Sequence, residues 1–180
     1  PVLGLATGSS PIGLYKCMIE DHKKNGTDYS KVITFNLDEY VGLPKEHSQT
    51  YYTFMHENLF NSVDIKEENV NFLDGNAPDC DAESKRYAEA IKAAGGIDLQ
   101  LLGIGTNGHI AFNEPADEFT DEAFKVTLTQ STINSNQKYF GDVPMPRYAM
   151  TMGIGSIMRS RKILLIATGE AKAEAIKALV

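Results

Sequence analysis

The chain is 180 residues long, with 42% hydrophobic and 23% charged residues, the balance of a globular domain and not of a disordered segment. A formal net charge of −7 argues against nucleic acid as the main partner, because phosphate backbones select basic faces; a pocket on an acidic protein can still be locally positive. No run approaches the roughly 20 apolar residues of a membrane span, no signal-peptide pattern opens the chain, and Cys17 and Cys80, without C-x-x-C spacing, suit a reducing cytoplasm better than a disulfide framework.

Residues 2–6 (VLGLA) read as a strand, followed by TGSSP and a helix over 12–23, with Ser9 or Ser10 as N-cap and Pro11 in the first helical position. Residues 32–35 (VITF) form a second strand that runs into NLDEYVGLP. A helix opened by Ser48 then carries Tyr52, Met55 and Leu59 at helical spacing. Next come a short strand over 70–73, the turn DGNAPD and a helix over 82–94 that ends at Gly95-Gly96. The strand 97–104 leads into GIGTNGHIAFNEP, and residues 163–167 (ILLIA) precede TGE and a last helix. The chain has no initiator Met and stops at Val180 inside a helical pattern, so a stretch of a longer protein is expected.

No repeat or linker interrupts residues 1–180, which read as a single domain. Strand–helix alternation with mostly apolar strands predicts an α/β fold, a Rossmann-like three-layer αβα sandwich whose mostly parallel sheet is covered on both faces. In such sheets ligands sit beyond the carboxyl ends of the strands. TGSSP, NLDEY, GIGTNGHIAFNEP and ATGEAK each follow a strand. One edge of the sheet is therefore the candidate site.

Each motif has a functional and a structural reading. In TGSSP, Thr7, Gly8, Ser9 and Ser10 either begin an ordinary capped helix or present backbone N–H groups to a phosphate; no G-x-x-x-x-G-K-[ST] or G-x-G-x-x-G supports a nucleotide loop. Asp38 and Glu39 point to opposite faces of a strand, so they are solvated loop acids or one of them is a general base. His109 is a structural histidine or a proton carrier near neutral pH, with Glu114 or Asn107 fixing its tautomer. A metal is disfavoured, since His22, His47 and His56 lack ligand spacing. Lys138 and Lys172 are surface lysines or phosphate ligands; Lys172, in the first turn of its helix, gains nothing from the dipole. Tyr51, Tyr52 and the methionines of 145–152 read as packing.

With these residues in place the chain resembles the glucosamine-6-phosphate deaminase family over essentially its whole length. The likeness is densest in LGLATGSSPIGLYK, VITFNLDEYVGLPKEHSQTYYTFM, GGIDLQLLGIGTNGHIAFNEP and YAMTMGIGSIM, and TFNLDEYVGLP together with GHIAFNEP is highly specific. The resemblance implies that glucosamine 6-phosphate and water give fructose 6-phosphate and ammonia, with no metal and no organic cofactor. It implies His109 as the ring-opening base supported by Glu114 and Asn107, Asp38 as the base that moves the C2 proton to C1, and Thr7 to Ser10 with Lys172 on the phosphate. Asn107 stands where some members have Asp, which leaves Glu114 alone to support an imidazolium. Lys138 replaces an Arg, giving a point charge in place of a bidentate contact. Phe124 and Val126 replace basic residues of allosterically activated members, which implies no activation by N-acetylglucosamine 6-phosphate. The implied partner is a small sugar phosphate, not nucleic acid or membrane; self-association into a homo-oligomer stays open. A 6-phosphogluconolactonase would have no need of DEY or the FNEP continuation, and a non-catalytic sugar-phosphate-binding domain no reason to keep Asp38, His109 and Glu114 together.

Overall fold

Two sheets organise the computed structural model, which describes residues 1–180. The strands are β1 (Val2–Leu5), β2 (Ile33–Asn36), β3 (Asp38–Tyr40), β4 (Val70–Asn71), β5 (Leu99–Leu102), β6 (Phe124–Thr127), β7 (Tyr148–Thr151) and β8 (Ile163–Leu165). The helices are α1 (Ile12–Asn25), α2 (Tyr51–Asn58), α3 (Cys80–Ala93), α4 (Gln130–Asn136), α5 (Ile154–Met158) and α6 (Ala173–Leu179). Five strands form a parallel sheet in the order β4-β2-β1-β5-β8. Consecutive residues Thr34, Phe35 and Asn36, and likewise Gln100, Leu101 and Leu102, are buried. Both faces of β2 and β5 are therefore covered, while Ile163 and Leu164 of the edge strand β8 are exposed.

The five-stranded sheet is the mostly parallel one expected from the sequence, and a second sheet, not anticipated there, lies beside it. Strands β3, β7 and β6 pair antiparallel, so DEY is a strand and not the loop that ends β2. Leu37 makes the break. Its N–H donates to Leu5 O at 3.1 Å, and its carbonyl accepts from Met152 N at 2.7 Å. The main core, with Leu5, Tyr15, Phe35, Tyr87, Leu101 and Met152, lies about the parallel sheet. A smaller cluster of Tyr40, Phe112, Leu128, Phe140, Met145 and Ala149 packs on the second sheet.

Several boundaries differ from the sequence expectation for local reasons. Helix α1 starts at Ile12, with Pro11 and not a serine at the cap position and no side-chain cap bond. Helix α2 starts at Tyr51 and not near Ser48, because Thr50 is the residue whose side chain accepts Thr53 N–H, at 3.2 Å. Strand β4 stops at Asn71, since Asp74 N–H turns to the Glu83 carboxylate at 2.7 Å. Lys172 ends a 3-10 turn (Glu170–Lys172) ahead of α6 instead of lying in the first turn of the helix. No helix is long and apolar enough to cross a membrane.

Gly75 packs so closely on β3 that a Cβ there would collide with the Tyr40 carbonyl oxygen. Gly75→Ala should cost about 1–3 kcal/mol and lower Tm by roughly 2–4 °C per kcal/mol. A thermal melt that matches the parent protein would show that β3 yields freely at this contact.

Candidate active site

The carboxyl ends of β2, β1, β5 and β8, four neighbouring strands, lead respectively to Asp38, the 7–10 loop, the 103–115 loop and Lys172. Three strand spacings separate the outermost pair, about 14 Å. The topology thus brings the four polar segments to one edge of the sheet.

Buried Tyr15 donates its hydroxyl to Ala6 O at 2.6 Å and ties the start of α1 to the end of β1. Between these points the chain turns through Gly8 at φ 89°, leaving Gly8 and Ser9 exposed and Thr7 and Ser10 half-buried. No side chain caps α1, so the start of this helix is open to an anion.

In the 103–115 loop, His109 Nδ1 lies 2.6 Å from Asn107 Oδ1, and Asn107 Nδ2 donates to Glu114 Oε2 at 2.7 Å. An ionised carboxylate only accepts, so it fixes the amide with Nδ2 toward Glu114 and Oδ1 toward the histidine. Nδ1 must then be the protonated nitrogen, and Nε2 keeps its lone pair. Burial holds the His109 imidazole below its usual range; the Glu114 charge opposes this and the Lys172 charge reinforces it. The neutral ring with a free Nε2 is a proton acceptor. Glu114 acts on His109 both by its charge and through the Asn107 amide, with the Thr132 hydroxyl at 3.3 Å from its other oxygen.

The loop is pinned on its far side. Phe112 stacks on Tyr51 at 6.1 Å and packs against Tyr40 at 5.8 Å, while its N–H donates to Thr151 Oγ1 at 3.2 Å. Asn113 Nδ2 donates to Met152 O at 2.8 Å, so this amide anchors the backbone. These bonds hold Ala111 at φ 52°, a left-handed conformation that costs a non-glycine residue about 1–2 kcal/mol. Gly105 lies under the histidine, where a Cβ would strike the imidazole ring.

Asp38 and Glu39 are buried, which removes the solvated-acid reading. Burial, with the neighbouring Glu39 charge adding to it, pushes the Asp38 carboxyl up to about 8. No hydrogen bond offsets this. Asp38 pairs in register with Thr151, the residue whose hydroxyl holds Phe112, so the acid and the histidine loop share one support. Glu39 accepts N–H from Tyr40, Tyr51 and Tyr52, contacts that no side-chain pattern announces. Lys172 is half-buried and close enough for its charge to act on His109. Lys138 is exposed, with Nζ 5.0 Å from the centre of the Tyr139 ring. No three His, Cys, Asp or Glu side chains converge as a metal-binding group.

Comparison with known proteins agrees with this architecture. The family described as glucosamine-6-phosphate isomerases/6-phosphogluconolactonase matches residues 2–180. A glucosamine-6-phosphate deaminase of Thermoanaerobacter sp. (strain X514) is 55% identical over 177 residues, 98% of this chain and 70% of that one. A solved monomeric glucosamine-6-phosphate deaminase superposes with a TM-score of 0.95 at 41% identity, over 99% of this chain and 74% of that one. A 6-phosphogluconolactonase of Thermotoga maritima reaches a TM-score of 0.72 at 21% identity, over 99% of this chain and 74% of that one, a likeness of fold alone.

Asn107→Asp would place a second carboxylate beside His109. Its charge should raise the imidazole pKa, read as an upward shift of the His109 titration by NMR. A midpoint that stays or falls would show that Asn107 is not the electrostatic neighbour of the ring.

Proposed function

This chain belongs to the glucosamine-6-phosphate isomerase/6-phosphogluconolactonase family, and from that premise we propose that it converts D-glucosamine 6-phosphate and water to D-fructose 6-phosphate and ammonia, in the cytoplasmic breakdown of amino sugars. His109 Nε2 takes the proton of the anomeric hydroxyl and passes it to the ring oxygen as the C1–O5 bond breaks. Asp38 takes the C2 proton, next to the newly formed carbonyl, whose oxygen takes a proton from the C2 ammonium group, and the enolamine forms. The same proton returns to C1, leaving an imine at C2. Water adds to that carbon, and the carbinolamine expels ammonia. Thr7, Gly8, Ser9 and Ser10 with Lys172 bind the phosphate, and Lys138 reaches it from the exposed surface as a single charge.

The observation that carries this reading is Asp38. A buried carboxyl without a donor, pushed up to about 8, is poorly made for structural support and well made to accept a proton from carbon. A lactonase would have no use for it.

Four outcomes test the proposal. Incubation with glucosamine 6-phosphate should release ammonia and fructose 6-phosphate in equal amounts, and Asp38→Asn should lower kcat by about 10²–10⁴-fold; an Asp38→Asn variant with parental turnover would remove Asp38 from the chemistry. Activity should rise as pH climbs through about 8 and Asp38 ionises. The stability effect has the opposite sign. Raised from 3.8 to about 8, the group destabilises the fold progressively as pH rises through that window, and the loss is complete above it. Asp38→Asn should therefore melt higher than the parent at alkaline pH, by roughly 2–4 °C per kcal/mol relieved. A lower melting temperature would contradict the burial of a donor-free charge. Finally, Phe124 and Val126 lie half-buried on β6, and Lys125 is turned over the Tyr148 ring at 4.5 Å. N-acetylglucosamine 6-phosphate should leave the substrate saturation curve unmoved; a leftward shift would show an effector site on this strand.

A further inference from the structure

Asp38 and Glu39 are adjacent on β3 and equally buried, at 7% and 6% exposure, yet their surroundings are opposite. Glu39 Oε1 accepts Tyr40 N–H at 2.8 Å and Tyr51 N–H at 3.0 Å, and Oε2 accepts Tyr52 N–H at 2.9 Å. Tyr51 and Tyr52 open α2, and the next N–H, that of Thr53, is taken by Thr50. The carboxylate therefore fills the free donors of a helix start, where the dipole favours an anion. No Lys, Arg or His pairs with it. Strand geometry sends Asp38 to the opposite face, where nothing donates to it.

We propose that Glu39 is a positioning residue for proton transfer at C2: locked to the start of α2, it fixes the rotation of β3 and keeps a negative charge behind Asp38, so that the Asp38 carboxylate stands free as a strengthened base. The inference rests on the assignment of Asp38 as the C2 base. A carboxylate of ordinary proton affinity is a weak base toward carbon, and a like charge nearby strengthens it. Burial pushes both carboxyls up, but the three N–H donors oppose it only at Glu39. As pH falls, the proton goes to Asp38 first.

The other groups facing the pair do not disturb this order. Tyr40 on the same strand, Tyr51 from α2 and Tyr87 from α3 feel the Asp38 charge, and burial raises all three phenols, so they stay neutral. On the Glu39 side, Lys45, Glu67, Asp74 and Arg86 line the adjoining cavity. Arg86 is paired with Glu83 and Glu67 with His56, and Lys45 Nζ rests 4.2 Å from the centre of the Tyr52 ring.

Carboxyl-selective 13C NMR of the unmodified protein should show Glu39 remaining ionised to lower pH than Asp38; the reverse order overturns the proposal without any variant. Glu39→Gln keeps an acceptor oxygen and removes the charge. The Asp38 titration, and with it the rising limb of the kcat profile, should then move to lower pH by roughly one unit, and kcat should fall roughly 3- to 10-fold with KM little changed. Glu39→Asp keeps the charge but is too short to reach α2, so the limb should return toward its original pH while kcat stays reduced. A purely structural Glu39 would lower Tm in both variants and leave limb and kcat in place, which overturns the proposal. Because the NMR titrations are read without substrate, failure of the unmodified protein to turn over glucosamine 6-phosphate would count against the assigned reaction and not against the Asp38–Glu39 coupling.

Discussion

Leu37 joins the two sheets, and the geometry of the site depends on that joint. Its N–H continues the parallel sheet to Leu5, and its carbonyl accepts from Met152 at the start of the excursion that follows β7. A chain that kept straight here would carry Asp38 along the parallel sheet. The bend instead hands it to an antiparallel partner, where it pairs with Thr151. Thr151 and Met152 also receive Phe112 and Asn113, so the acid and the histidine loop are referenced to the same two residues. Rigid positioning of this kind is what proton transfer between several atoms of one substrate requires.

The two proton-handling groups are tuned by different physics. Around His109 the control is hydrogen-bond direction: a carboxylate orients an amide, and the amide orients the ring. Around Asp38 it is the absence of any donor combined with burial, while its neighbour Glu39 holds three donors. One strand thereby presents a satisfied carboxylate on one face and an unsatisfied one on the other. The unsatisfied group costs stability, as polar groups built for chemistry commonly do.

The parallel sheet was legible because its strands are short apolar runs closed by turn residues, and the rule that ligands gather at their carboxyl ends picked out the 7–10, 38–40 and 107–114 segments and Lys172. The antiparallel sheet was not. β3 follows β2 after a single residue, so the two read as one strand and a loop, and β6 (FKVT) and β7 (YAMT) are too short for a period to emerge. The anchoring of Glu39 was hidden for a different reason: its partners are backbone N–H groups of Tyr51 and Tyr52, whose side chains advertise only packing. The place of Asn107 between Glu114 and His109 is likewise a matter of three-dimensional order; in sequence the three residues are merely near one another.

The central claim is that one buried carboxylate both removes and returns the proton of the isomerisation. Substrate deuterated at C2 tests it most directly. If Asp38 carries the hydrogen from C2 to C1 in a site that shields it from water, fructose 6-phosphate formed in ordinary water should hold part of the label at C1. Product whose newly gained C1 hydrogen always comes from solvent, early turnovers included, would contradict a single sheltered base.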